Sequence, residues 1–316
     1  MTSVLARARA AGSARDDLPV LAAVVAVLAW GSGPLMTRAM SVPTPTLVFY
    51  RLAIGAPLMI VIAYRTGGKC TLALTKKTAI PGILFGLSML TGFASVKLTS
   101  IANATLITTL QPALVLLVAP RLFGEQWRLK RVSLAGVAFV GVSIVVLAAA
   151  STSGASVEGD LLAGVNVVIW TTYFLMAKHL RDSGMHSWTL LAYVFSWASV
   201  VVVPWALLSH SDLGAMNTKD WFLVILMSLI PGILGHGLMT WAQKHIDVTL
   251  ASLLGLASPV ISTIGAWIIF DQRLRPLQIV GACVVLGALA ALLRSYRGSG
   301  ISQDDAITPS VDPLLS

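Results

Sequence analysis

Few side chains in the apolar stretches of this chain can do chemistry. His236 lies between Gly235 and Gly237 in a long apolar run. An imidazole titrates near neutral pH, so modest changes in its surroundings set its charge. It can contact a substrate or proton, or it can bind a neighbouring helix as a neutral ring. Arg51 follows Phe49 and Tyr50 about two turns into another apolar run. Its guanidinium fork matches a carboxylate, although an arginine at such a depth also snorkels to the interface. Trp30 and Trp170 fall mid-run, where an indole packs between helices or stacks on a flat or cationic ligand. Asn166 precedes Trp170 by one turn and shares its helix face. Gln111 stands next to Pro112, and Ser258 next to Pro259. Each proline removes a backbone donor and frees a carbonyl nearby. His236, Arg51, Trp30, Trp170, Tyr50, Tyr173, Asn166 and Gln111 are the expected substrate-binding residues. Pro112, Pro231 and Pro259 are the expected helix breaks.

The thirteen acidic residues all lie outside these runs or at their ends, so a buried carboxylate relay for protons is not indicated. His179, His186, His210, His236 and His245 do not cluster with carboxylates as intramembrane catalysis requires. No GxxxxGK[ST] motif is present to hold a nucleotide. Cys70 and Cys283 show neither metal-ligand nor redox spacing. The expectation is a protein with no catalytic residues, metal or cofactor. An intramembrane enzyme is the rival reading, and a passive facilitator or channel is another.

The elements that position these residues follow from composition. Of 316 residues, 56% are hydrophobic and 11% charged, with a mean hydropathy of +0.84. Soluble domains carry about 25% charged residues. Ten stretches approach the ~20 apolar residues that a spanning helix needs. They cover 18–39, 45–64, 78–97, 102–121, 130–149, 160–180, 187–208, 220–242, 249–270 and 276–295. The first is longer than a signal-peptide core. Lipid leaves no partner for open backbone groups, and the short alternating segments of a barrel are absent, so these spans are helices. Residues 1–17 and 297–316 read as polar, unstructured tails.

The chain is also doubled. Lys97–Phe123 overlays Lys244–Phe270 without a gap, matching at Lys97/Lys244, Ala104/Ala251, Leu106/Leu253, Pro112/Pro259, Ala119/Ala266 and Phe123/Phe270. Trp30 matches Trp170, and Tyr50 matches Tyr193. The third span does not align with the eighth. Five spans is an odd number, so a tandem copy enters the membrane upside down. The expected fold is all-α and integral to the membrane: ten transmembrane helices as two inverted-topology five-helix repeats, 18–149 and 160–296, joined by an outer linker at 150–159. With both termini in the cytoplasm, inner segments hold sixteen of the twenty-two Lys and Arg residues, as the positive-inside rule requires. The formal charge of +9 therefore reads as membrane orientation and not as nucleic-acid binding. Inverted repeats enclose a midplane site and rock about it, which is the logic of a transporter.

Three stretches carry a family resemblance: FYRLAIGAPL (49–58), VKLTSIANATLITTLQPALVLLVAPRLFGEQ (96–126) and GHGLMTWAQKHIDVTLASLLGLASPVISTIGAWIIFDQ (235–272). They resemble the drug/metabolite transporter superfamily, in its ten-span form with two EamA-type repeats. The likeness covers about residues 18–296. Asp271-Gln272 stands where the first copy has Gly124-Glu125. The resemblance implies ATP-independent transport of small metabolites across the cell membrane, commonly export of amino acids or related amphipathic compounds. The implied partners are a small-molecule substrate and the lipid bilayer, with a homodimer the assembly to consider.

Overall fold

Each apolar run satisfies its backbone internally as helix, and no strand occurs among the described residues. A computed structural model describes residues 2–69, 71–99, 104, 107–126, 128–149, 156–209, 212–270 and 274–297. The helices are α1 (Thr2–Ala39), α2 (Thr44–Arg65), α3 (Leu72–Leu98), α4 (Gln111–Phe123), α5 (Leu129–Ala149), α6 (Val157–Asp182) and α7 (Ser187–Leu208). Then come α8 (Thr218–Ala242), α9 (248–270) and α10 (Pro276–Arg297). Nine described helices are long and apolar enough to cross a membrane, and α4 is a shorter apolar helix.

Several boundaries differ from expectation. The segment 1–17, read as an unstructured tail, is helical from Thr2 and continuous with α1. Its Ala-, Leu- and Arg-rich sequence consists of strong helix formers. Residues 72–77, read as loop, form the first turns of α3 because the Thr71 side chain accepts the Leu74 N–H and caps the helix there. Ser156 caps α6 in the same way, so this helix begins at Val157, inside the expected linker. Asn217 caps α8, which begins at Thr218. The start of the fourth span, the Asp271–Arg273 turn and residues 298–316 lie outside the described residues.

Packing follows a pseudo-two-fold axis. Helices at equivalent places in the two repeats pack on each other: α2 on α7, α4 on α9 and α5 on α10. Further contacts come in matched pairs, among them α3 on α6 with α1 on α8, α3 on α7 with α2 on α8, and α4 on α6 with α1 on α9. The matched tyrosines share this relation. Tyr50 on α2 donates its hydroxyl to Leu213 O before α8, at 2.9 Å. Tyr193 on α7 donates to Thr71 O before α3, at 3.1 Å. A tandem five-helix unit that enters from the opposite side produces this arrangement.

Two contacts show what holds the helices together where burying apolar surface gives little advantage over lipid. The backbones of α5 and α10 touch at Gly141 and Gly281. A Cβ on Gly281 would lie 2.7 Å from Gly141 O and 2.9 Å from Val145 N. Between α3 and α6, Ser88 and Thr91 donate to Asn166 Oδ1 at 2.8 and 3.1 Å. Gly281→Val should destabilise the detergent-solubilised protein by about 2 kcal/mol through overpacking. Asn166→Leu should cost about 1 kcal/mol of interhelical hydrogen bonding. Unfolding midpoints in detergent check both; equal midpoints for Gly281→Val and the parent would show that the α5–α10 contact is slack.

Candidate functional site

The site builds outward from a defect in α8. Pro231 cannot donate a backbone hydrogen bond, and the helix widens to π geometry over Ser228–Gly235 before α-helix resumes at His236. Such bulges inside α-helices are frequent at functional sites. The widening delivers His236 to the bundle centre, where it is buried. The glycines beside it make room for two tryptophans. A Cβ on Gly235 would lie 2.8 Å from Trp30 Cδ1, and one on Gly237 would collide with the Trp188 ring.

Four aromatic rings surround the imidazole. Centroid distances are 5.2 Å to Phe85, 5.3 Å to Trp30, 5.9 Å to Phe195 and 6.1 Å to Trp170. These rings come from α3, α1, α7 and α6, so five helices from both repeats meet here. Trp30 and Trp170 stand edge to face at 6.1 Å, which places the pseudo-two-fold axis between them. Tyr173 extends the cluster, 5.0 Å from Phe85 and 5.2 Å from Trp170. No hydrogen bond to the His236 ring occurs among the described residues. Its surroundings are aromatic faces and edges, which favour flat or cationic groups.

Three side-chain donors on α1, α2 and α4 lack acceptors. Trp30 Nε1, Arg51 Nε and Gln111 Nε2 are shielded from solvent and have no hydrogen-bond partner. Arg51 meets α8 at the start of the π segment, where Ser228 Oγ donates to Arg51 O at 3.4 Å. Gln111 opens α4, directly after a turn at Thr109–Leu110, with Pro112 as the second helical residue. α4 packs on α6, the helix of Trp170. In the second copy, α9 is broken at the equivalent place by a 3-10 turn at Gly255–Ala257, and helix resumes at Ser258-Pro259. There Ser262 Oγ donates to Gly31 O at 2.8 Å, next to Trp30. Trp30, Trp170, Arg51 and Gln111 are each only half-buried. Buried donors that lack partners cost about 1–3 kcal/mol each, and an acceptor-bearing ligand would relieve that cost.

The structure separates the expected site residues into groups. His236, Trp30, Trp170 and Tyr173 form one cluster, and Arg51 meets α8 at Ser228. Asn166 is spent on the α3–α6 contact through its Oδ1. Tyr50 lies at one end of α2, where its ring packs on Trp221 at 4.7 Å and its hydroxyl is held by Leu213 O. That clasp occupies the hydroxyl with backbone, so Tyr50 serves helix closure here. Sequence reasoning missed Phe85 and Phe195, which carry no polar signal in a chain full of apolar residues.

Two other places offer less. A groove of 610 Å³ along α6 is lined by Val157, Asp160, Leu161, Gly164, Val165, Val168 and Ile169. Leu161, Val165 and Val168 there are exposed on the outside of the bundle, so this surface belongs to lipid contact and not to the interior. Among the described residues no group of three His, Cys, Asp or Glu side chains could hold a metal. In the turn between α6 and α7, burial and then the positive charge of Arg181 hold His186 below the ordinary imidazole range.

Comparison with known proteins agrees with this architecture. The chain is 27% identical over 282 residues to the aromatic amino acid exporter YddG of Ancylobacter novellus, covering 86% of this chain and 96% of that one. It is 24% identical over 265 residues to the pseudopaline exporter CntI of Pseudomonas aeruginosa, covering 82% and 89%. It is 26% identical over 258 residues to the uncharacterized transporter YyaM of Bacillus subtilis, covering 77% and 82%. A solved crystal structure superposes with a TM-score of 0.75 at 22% identity, covering 88% of this chain and 98% of that one, a likeness of fold. Residues 17–147 and 157–294 each match one family, so this multi-pass membrane protein, built from two repeats, belongs to the EamA-like transporter family.

Proposed function

We propose that this chain is a secondary transporter of the cell membrane that exports small amphipathic metabolites, amino acids or related compounds, by alternating access between its two repeats. The observation that carries the reading is the aromatic cage assembled from both repeats around His236, with an unpaired donor, Trp30 Nε1, within it and two more, Arg51 Nε and Gln111 Nε2, elsewhere in the spans. A substrate with a carboxylate would satisfy the donors and bring the charge that Arg51 complements. A flat or apolar body would rest against Trp30, Trp170 and Phe85. The names of two relatives, an exporter of pseudopaline and an exporter of aromatic amino acids, support export of compounds in this size class.

The breaks in α4, α8 and α9 support the mechanism. Discontinuous helices next to a midplane site are the usual way for a transporter to place backbone groups and let segments move. The inverted repeats give each gate a counterpart on the other side. Transport in this reading needs no ATP and no covalent chemistry. The distribution of Lys and Arg supports both termini in the cytoplasm.

A thermal-shift screen of the purified protein against amino acids, polyamines, nucleosides and drugs should find stabilisation by carboxylate-bearing amphipathic compounds and none by polyamines. Arg51→Ala should weaken the best ligand by about ten-fold or more, the loss of one charge-assisted hydrogen bond. His236→Ala and Trp30→Ala should also weaken it. Unchanged binding in both Arg51→Ala and His236→Ala would remove the site assignment. In liposomes, the same ligand should show trans-stimulated counterflow; net flux without trans-stimulation would make the protein a facilitator.

A further inference from the structure

The start of α9 is capped by a side chain from the other repeat. Asp247 stands at its N-cap position but makes no side-chain cap. It instead pairs with Arg131 on α5, with Arg131 Nη1 3.2 Å from Asp247 Oδ2. The exposed donors of α9 are taken by Glu125: Val248 N–H donates to Oε1 at 2.6 Å and Thr249 N–H to Oε2 at 3.3 Å. Gly124 makes this reach possible. It closes α4 with φ of 67°, a left-handed conformation that glycine adopts freely, and so turns the chain toward α9. Two links therefore join the repeats at one end of the α4–α9 pair, one from the end of α4 and one from the start of α5.

We infer that Glu125 is the latch of the inner gate: it positions the inner ends of α4 and α9 against each other, and its release from the α9 N-terminus accompanies opening to the cytoplasm. The inference rests on alternating access as the mode of action. α9 is broken near its centre at Gly255–Ala257, and α4 begins directly after a turn at Thr109–Leu110. α4 and the first half of α9 can therefore swing about these turns, and the trans-cap is what they lose when they part. In the overlay of the two copies the residue matched to Glu125 is Gln272, an amide that does not titrate. The two copies thus differ in chemistry at this position.

The latch also sets a pH dependence. Burial pushes the Glu125 carboxyl above the ordinary carboxylate range, and the charge of Asp247 adds to this; the hydrogen bonds from Thr249 and Val248 oppose it without winning. Asp247 acts on this carboxyl from the start of α9, and Arg131 on α5 pairs with that Asp247; Arg121, Arg128, Lys130, Lys244 and His245 lie close to these residues along the chain. A latched carboxyl that holds its proton more tightly than a released one is favoured by acid. The latched fraction therefore rises as pH falls toward the raised value, and falls as pH rises through it.

The test needs no substrate. Spin labels at Gln126→Cys and Lys244→Cys, in a Cys70→Ser, Cys283→Ser background in nanodiscs, report the separation of the inner ends by pulsed EPR. Glu125→Ala should raise the ratio of long to short distances by about five-fold, the size of a lost cap. Glu125→Gln, neutral and able to accept only one of the two N–H groups, should hold a partly closed distribution that is insensitive to pH. The parent should close further as pH falls toward the ordinary carboxylate range. With His245 intact in every variant, a flat response in Glu125→Gln assigns the titration to Glu125. Distances unchanged in Glu125→Ala would overturn the inference; if that variant does not fold, a parent distribution independent of pH would do so. Failure of counterflow with an intact distance shift would sink the transport reading and leave the latch standing.

Discussion

Every backbone donor and acceptor that enters hydrocarbon must find its partner within protein, and the structure depends on this constraint. It makes the spans helical and confines irregular backbone to places that other helices cover. The π turn over Ser228–Gly235, the turn at Thr109–Leu110 and the 3-10 turn at Gly255–Ala257 are the main departures within the described spans. They flank the level of His236, where helices from both repeats meet. A break on the lipid side would leave groups unpaired at several kcal/mol each. Irregularity therefore collects at the centre, which is also where a substrate has to be held and released.

The two-fold relation between the repeats turns this constraint into a site. Equivalent residues approach one another only close to the axis, and Trp30 and Trp170 meet there at 6.1 Å. The axis does not make the two sides chemically equal. His236 has no matching histidine in the first repeat at the aligned positions, and Glu125 is matched by Gln272. A symmetric frame therefore carries an asymmetric set of polar groups.

Polar side chains inside the bundle divide by what they hold. Asn166 and the matched pair Tyr50 and Tyr193 are satisfied by other helices and fix packing. Trp30, Arg51 and Gln111 keep donor atoms that nothing in the described protein satisfies. In a medium that penalises open hydrogen bonds, satisfied groups belong to the scaffold and unsatisfied ones await a ligand. Residue type does not distinguish the two sets, since both contain amides and aromatic rings.

Hydropathy, loop charge and the overlay of 97–123 on 244–270 were enough to read ten helices, their doubling and their inversion from the chain alone. These properties rest on the cost of polar groups in lipid, and that cost is paid residue by residue. Boundaries were less legible, because caps such as Thr71 and Ser156 depend on a single side-chain oxygen. His236 and the paired tryptophans were also visible, since a titratable or large amphipathic group is conspicuous in an apolar run. Phe85 and Phe195 were not, because apolar residues are everywhere in such a chain and only the crossing of α3 and α7 at α8 selects these two. The equivalence of α3 and α8 appears only in the packing, where contacts were retained without matching residues. Tertiary structure likewise sent Tyr50 to the clasp at one end of α2 and Asn166 to a helix contact, and it brought Glu125 to the start of α9, a partner 123 residues away. Chain position records what a residue is; which of its hydrogen bonds remain open depends on neighbours that only the fold supplies.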